Sequence, residues 1–118
     1  MNDFDIPILK KTYDLYRTFH DYRKIVPKQD RFTIFEKTED LILEVSESLL
    51  EAAHLDPSRK KEFLETASLK LNMLRFLMRL LKDVKSIDMK KYIILEGMVD
   101  EIGRMLGGWI RSATQTVK

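Results

Sequence analysis

The chain has 118 residues, of which 44% are apolar and 34% charged, with a net charge of +2 and no cysteine. That length fits one compact domain over residues 1–118, and the lack of cysteine excludes disulfides, thiolate metal sites and cysteine nucleophiles together. No segment approaches the roughly 18 uncharged apolar residues of a membrane span, and MNDFDIPILKK begins acidic rather than as a signal peptide, so a cytoplasmic protein without a membrane partner is expected.

The first helix is expected over about 6–24, where Ile6, Leu9, Tyr13, Tyr16 and Phe19 share a face. Pro27 and Asp30 mark the break after it, and Phe35, Ile42, Val45, Leu49 and Ala52 predict a second helix over about 31–54. Asp56 before Pro57 supplies an N-cap and a first-turn proline for a third helix to about 85. Two apolar stripes run along that helix. One holds Leu64, Ala67, Leu71, Leu74, Met78 and Leu81, and the other holds Leu69, Met73, Phe76, Leu80 and Val84. Ser86 or Asp88 can cap a fourth helix over about 88–114, along which Tyr92, Leu95, Val99, Ile102, Leu106, Trp109 and Ala113 form a stripe. No segment alternates like a strand. Short connections between long helices force antiparallel neighbours, so the expected fold is all-α, an up-down-up-down four-helix bundle whose third helix is about 40 Å long.

One bundle interior uses about one stripe per helix, so the second stripe of the third helix favours a homo-oligomer. All four glycines fall between Gly97 and Gly108, inside the last helix, although each costs about 1 kcal/mol there relative to alanine. Gly103 and Gly107 share a face with Gly108 beside them, which would let another backbone approach closely, either within the bundle or from a second subunit. Trp109 fits either the core or an anchor in a subunit contact.

Charge is divided unevenly along the chain. Residues 27–57 hold three Lys/Arg against eight Asp/Glu, whereas residues 58–87 hold eight against three. Neighbouring helices of opposite sign attract each other, and a basic helix can also face an anionic partner. Arg75 and Arg79, four apart, form a cationic row continued by Lys82, for which the structural reading is ion pairing with Glu44, Glu47 or Glu51. Lys28 and Arg31 flank the first connection. Arg59, Lys60 and Lys61 gather near a helix start, where the helix dipole disfavours cations, and this hints at an anionic partner such as a phosphate backbone.

Catalytic patterns are sparse. Glu51 and His54 have the Glu-x-x-His spacing of a di-iron bundle, but that site needs a second such motif and two further inward glutamates, and the only other histidine, His20, follows Arg17 at the required position. GRMLGG follows no strand and lacks the Gly-Lys-Ser/Thr of a phosphate loop, and no nucleophile elbow is present. The expectation is a protein that is not an enzyme and carries no cofactor or metal.

The run PKQDRFTIFEK (27–37), the helix LKLNMLRFLMRLLKDVKSID (69–88) and the ending KYIILEGMVDEIGRMLGGWIRS (91–112) resemble the Avd-like four-helix-bundle family, the accessory variability determinants of diversity-generating retroelements. The resemblance spans nearly the whole chain. Its most specific parts are Pro27-Lys28 with Arg31-Phe32, Leu74-Arg75-Phe76-Leu77 with Arg79, and Glu101-Ile102-Gly103-Arg104 with Gly107-Gly108-Trp109. It implies a ring-forming, typically pentameric, non-catalytic accessory that binds the retroelement reverse transcriptase and nucleic acid, template RNA or cDNA, in support of mutagenic retrohoming. Lys28, Arg31, Arg75, Arg79 and Arg104 are then the candidates for phosphate or polymerase contacts, and Gly103, Gly107, Gly108 and Trp109 for helix packing or assembly. The alternative is a freestanding four-helix bundle that binds ribosomal or other structured RNA, as in the related proteins encoded within intervening sequences of 23S ribosomal RNA genes. At a net charge of +2, either role needs the cations gathered on one face of the bundle.

Overall fold

The computed structural model describes residues 5–117, with side chains through 115, and every regular element among them is helical. Helix α1, Pro7–Asp21, begins with proline at its first turn, where a missing N–H costs nothing. It buries Ile8, Leu9, Thr12, Leu15 and Phe19, and the Thr12 hydroxyl is satisfied by donating to the Leu9 carbonyl at 2.9 Å. A 3₁₀ turn, Tyr22–Ile25, ends where Val26 is held extended before Pro27, as the proline ring requires of the residue preceding it. One further turn, α2 (Lys28–Arg31), leads into α3, Ile34–Ala53. The continuous helix expected to residue 24 is therefore broken earlier, and α3 starts three residues later than expected.

Helix α4 runs from Pro57 to Asp83, 27 residues, and α5 from Met89 to Val117. Their connection is a Schellman closure. Lys85 takes a left-handed φ of 66°, its N–H donates to the Lys82 carbonyl at 3.0 Å, and the Ser86 N–H donates to the Leu81 carbonyl at 2.9 Å. Asp88 then accepts the Lys91 backbone N–H at 2.8 Å, so it caps α5 as expected, and that bond first, with the Lys91 charge beside it, holds its carboxyl below the usual range. Ser86 has a different task, since its hydroxyl donates to Asp30 and ties this loop to α2. Asp56 precedes α4 as its N-cap without a side-chain cap bond.

The four long helices close into a bundle in which α3 packs on α4, α4 on α5, and α1 on both α3 and α5. Cross-helix pairs descend in one helix as they rise in the next. Between α4 and α5, Arg75 meets Asp100 and Lys82 lies over the Tyr92 ring at 5.1 Å. Between α3 and α4, Lys70 meets Glu44 at 3.4 Å while Glu62 borders the same groove as Glu51, and Phe19 stacks on Phe35 at 4.3 Å between ring centroids beside the short α1–α3 connection. The order is thus up-down-up-down. The core holds the entire first stripe of α4 together with Phe35, Ile42, Val45, Leu49 and Ala52 of α3 and Leu95, Val99, Ile102, Leu106 and Ala113 of α5. No helix among the described residues is long and apolar enough to cross a membrane.

Candidate functional site

The second stripe of α4 lies outside the bundle. Leu69 is 72% exposed, Phe76 62%, Val84 50%, Met73 41% and Leu80 37%, whereas no member of the first stripe exceeds 3%. On α5, Met89 and Ile93 are also exposed, and Gly97 continues their spacing on the same face. No atom among the described residues, its own helix backbone and chain neighbours aside, comes within 4 Å of the place a Gly97 methyl would take.

The cations predicted from sequence divide into two groups. Arg75 and Arg104 line a shallow groove between α4 and α5, with Gly103 and Gly107 on its wall and Leu71 and Leu106 at its base. Arg75 reaches across this groove to Asp100 in a charge-assisted hydrogen bond. Its ion pair is therefore with α5 and not with the acidic α3, where Lys70 takes Glu44 instead. The reason is rotational. Residues 70 and 75 are five apart, about 140° around the helix, so they face opposite neighbours. Arg79 stays on its own helix, 3.2 Å from Asp83, and Lys82 lies 3.3 Å from the same carboxylate. At Asp83 desolvation is the largest single influence and pushes the carboxyl up, but the hydrogen bonds and charges of Lys82 and Arg79 together outweigh it and hold the carboxyl below its usual range. The Tyr92 phenol under Lys82 is pushed up, first by burial and then by its hydrogen bond to Glu96. Arg104 is exposed and has no hydrogen-bond or ion-pair partner among the described residues.

Gly103 has a specific reason. A methyl there would sit 2.7 Å from Nη2 of Arg75, so the glycine makes room for that guanidinium to lie across α5. Gly107 and Gly108 likewise have Arg111 nearest, at 3.6 and 3.8 Å, and the close approach of another backbone of the same chain is not what these positions serve. Trp109 is half-buried at the edge of the core with the Lys60 ammonium 5.8 Å from its ring. Of the other cations at the start of α4, Lys61 pairs with Glu65 at 3.9 Å and Arg59 is exposed.

Lys28 and Arg31 lie apart from this groove, in the α1–α3 connection. Lys28 is exposed without a partner among the described residues, but Arg31 is structural as well: its Nε donates to the Val26 carbonyl at 2.8 Å and its Nη2 to the Lys24 carbonyl at 3.3 Å. Sequence reasoning missed Arg23, whose guanidinium stands 4.8 Å from the ring of the exposed Phe32. The available signal was the set of cations Arg23, Lys24, Lys28 and Arg31 bracketed by Tyr22 and Phe32. On the far side of α4, Glu44, Glu47, Glu51 and Glu62 border a second groove with Lys70, so the molecule has an acidic α3–α4 side and a cationic α4–α5 side. His54 is the C-cap of α3.

A family model described as bAvd-like matches residues 6–113. The chain belongs to the bAvd-like family. No match to a curated protein was found. The family match covers α1, α3 and α4 in full and α5 through residue 113, and so takes in the outer stripe, the α4–α5 groove and the Arg23–Phe32 corner of this bAvd-like bundle together.

Proposed function

We propose that the chain is a non-catalytic accessory of a diversity-generating retroelement, one that assembles into a ring, a pentamer, and binds the reverse transcriptase and nucleic acid in support of mutagenic retrohoming in the cytoplasm. Membership of the bAvd-like family over residues 6–113 carries this reading. The geometry adds a division of labour. The exposed α4 stripe offers apolar area for a subunit or polymerase contact, and the Arg75–Arg104 groove beside it offers guanidinium groups for phosphates. In a ring each such groove is repeated around the assembly, so weak phosphate contacts add in avidity without any new contact. Copying chemistry belongs to the polymerase, and this chain contributes binding and placement.

The test is capture of the reverse transcriptase and template RNA by the purified protein, with Arg75→Gln/Arg79→Gln and Arg104→Gln compared with the unaltered chain. Both variants are expected to keep their helicity and lose affinity, with a salt dependence of RNA binding shallower by about one for each phosphate contact removed. Loss of helicity in the first variant would make Arg75 a fold-holding partner of Asp100 and nothing more. Capture of structured RNA without any polymerase would favour the freestanding RNA-binding bundle.

A further inference from the structure

The α1–α3 connection exposes an aromatic ring in a place that is rigid and cationic. Phe32 is 70% exposed although Phe35, one turn later, is fully buried. Its backbone is fixed: it closes α2 as the C-cap, with its N–H donating to the Asp30 carbonyl. That turn is anchored on both sides, by Arg31 to the Val26 and Lys24 carbonyls and by the Ser86 hydroxyl to Asp30. The Arg23 guanidinium lies at the ring, 4.8 Å from its centroid, and also borders a groove with Lys24, Arg31, His20 and Asp21. Nearby acids are largely engaged. Asp21 lies 3.2 Å from Lys24, Glu39 lies 2.8 Å from His20 and 4.0 Å from Arg23, and Asp30 holds Ser86. Lys28 projects from the same turn.

We propose that this corner binds single-stranded nucleic acid, with an unpaired base stacked on Phe32 and its flanking phosphates along Arg23, Lys24, Lys28 and Arg31. Stacking on an aromatic ring needs a base free of its own stack, and the cations beside it neutralise the backbone without reading sequence. The guanidinium on the ring adds a cation–π contact that holds the phenyl ready. A duplex offers no free base face and gains only from the cations. The proposal rests on the nucleic-acid reading above and adds the class of ligand and the place it binds.

The experiment is fluorescence anisotropy with the full chain and a labelled RNA oligonucleotide, as a single strand and in a duplex of the same length, over a series of salt concentrations. Phe32→Leu, which keeps an apolar side chain and removes the ring, is expected to weaken single-strand binding roughly tenfold with the salt dependence unchanged, and to leave duplex binding unaltered. Phe32→Trp restores single-strand binding. Lys28→Gln weakens both forms and lowers the salt slope by about one. Equal effects of Phe32→Leu on single strand and duplex, or no effect on either, overturn the stacking site while leaving the nucleic-acid reading in place. A drop in solution mass with RNA binding intact would make Phe32 a subunit contact and also overturn it. If the unaltered chain binds neither form at low salt, the nucleic-acid reading itself fails.

Discussion

Helix α4 carries two apolar stripes of similar residue types at the same helical spacing, and their surroundings differ completely. Leu64, Ala67, Leu71, Leu74, Met78 and Leu81 are closed off by α3 and α5, whereas Leu69, Met73, Phe76, Leu80 and Val84 face outward. A single chain gains its fold from the first set alone. The second set leaves five large apolar side chains in water on one helix, which sets this face apart from the scattered apolar residues of an ordinary surface. The difference teaches that apolar content and period identify surfaces that need cover, and that the count of helices available decides which of them the chain covers itself.

The sharpest way to break this comparison is to truncate one member of each stripe. Leu74→Ala, in the fully buried set, should cost about 2–5 kcal/mol and lower the urea midpoint followed by circular dichroism. Leu69→Glu with Phe76→Glu should leave helicity intact and reduce the mass in solution to a single chain. If the outer pair instead destabilised the isolated chain as much as Leu74→Ala, the two stripes would not differ as described. Gly97→Ala separates fold from assembly in another way. With open space around the new methyl, the variant should raise the unfolding free energy by about 0.8–1 kcal/mol under conditions where the chain is monomeric, and a simultaneous loss of oligomer would place a subunit contact on that face of α5.

Smaller effects are expected away from both stripes. Lys85→Gly should stabilise by about 0.5–1 kcal/mol, because a residue with φ of 66° pays for its Cβ while the Schellman hydrogen bonds stay as they are. The Asp88 cap gives a weak acid dependence. Its folded-state pKa is lowered, so its contribution is complete above the ordinary aspartate value of about 3.9 and disappears as pH falls through the lowered value. Asp88→Asn should therefore show a flatter thermal-midpoint curve than the unaltered chain in that acid range, with no difference in shape near neutrality.

Much of the bundle was legible because period and punctuation agree in the second half of the chain. The α3 stripe is buried throughout, the α5 stripe is buried apart from the half-buried Tyr92 and Trp109, one of the two α4 stripes joins them in the core, and Pro57 and Asp88 mark the starts of α4 and α5. The α1–α3 connection was not legible at the same level, since its apolar residues continue a helical period through Phe19 and Tyr22 while Pro27 forces Val26 out of helical geometry. The cationic site was half legible. Spacing puts Arg75 and Arg79 near one another, but it does not tell which neighbouring helix flanks them, so Asp100 could not be singled out over Glu44. The glycines had a tertiary cause: Gly103 yields space to a guanidinium 28 positions earlier in the chain, which no local pattern encodes. Phe32 failed to stand out because its exposure depends on where α3 begins.

Solution mass by light scattering, at low and high salt, tests the division between the stripes most directly. The expected result is a pentameric mass that persists at high salt, because apolar contacts are not screened as surface ion pairs are. A mass of one chain at both salt concentrations would contradict it, leaving the outer stripe of α4 without a subunit to cover it.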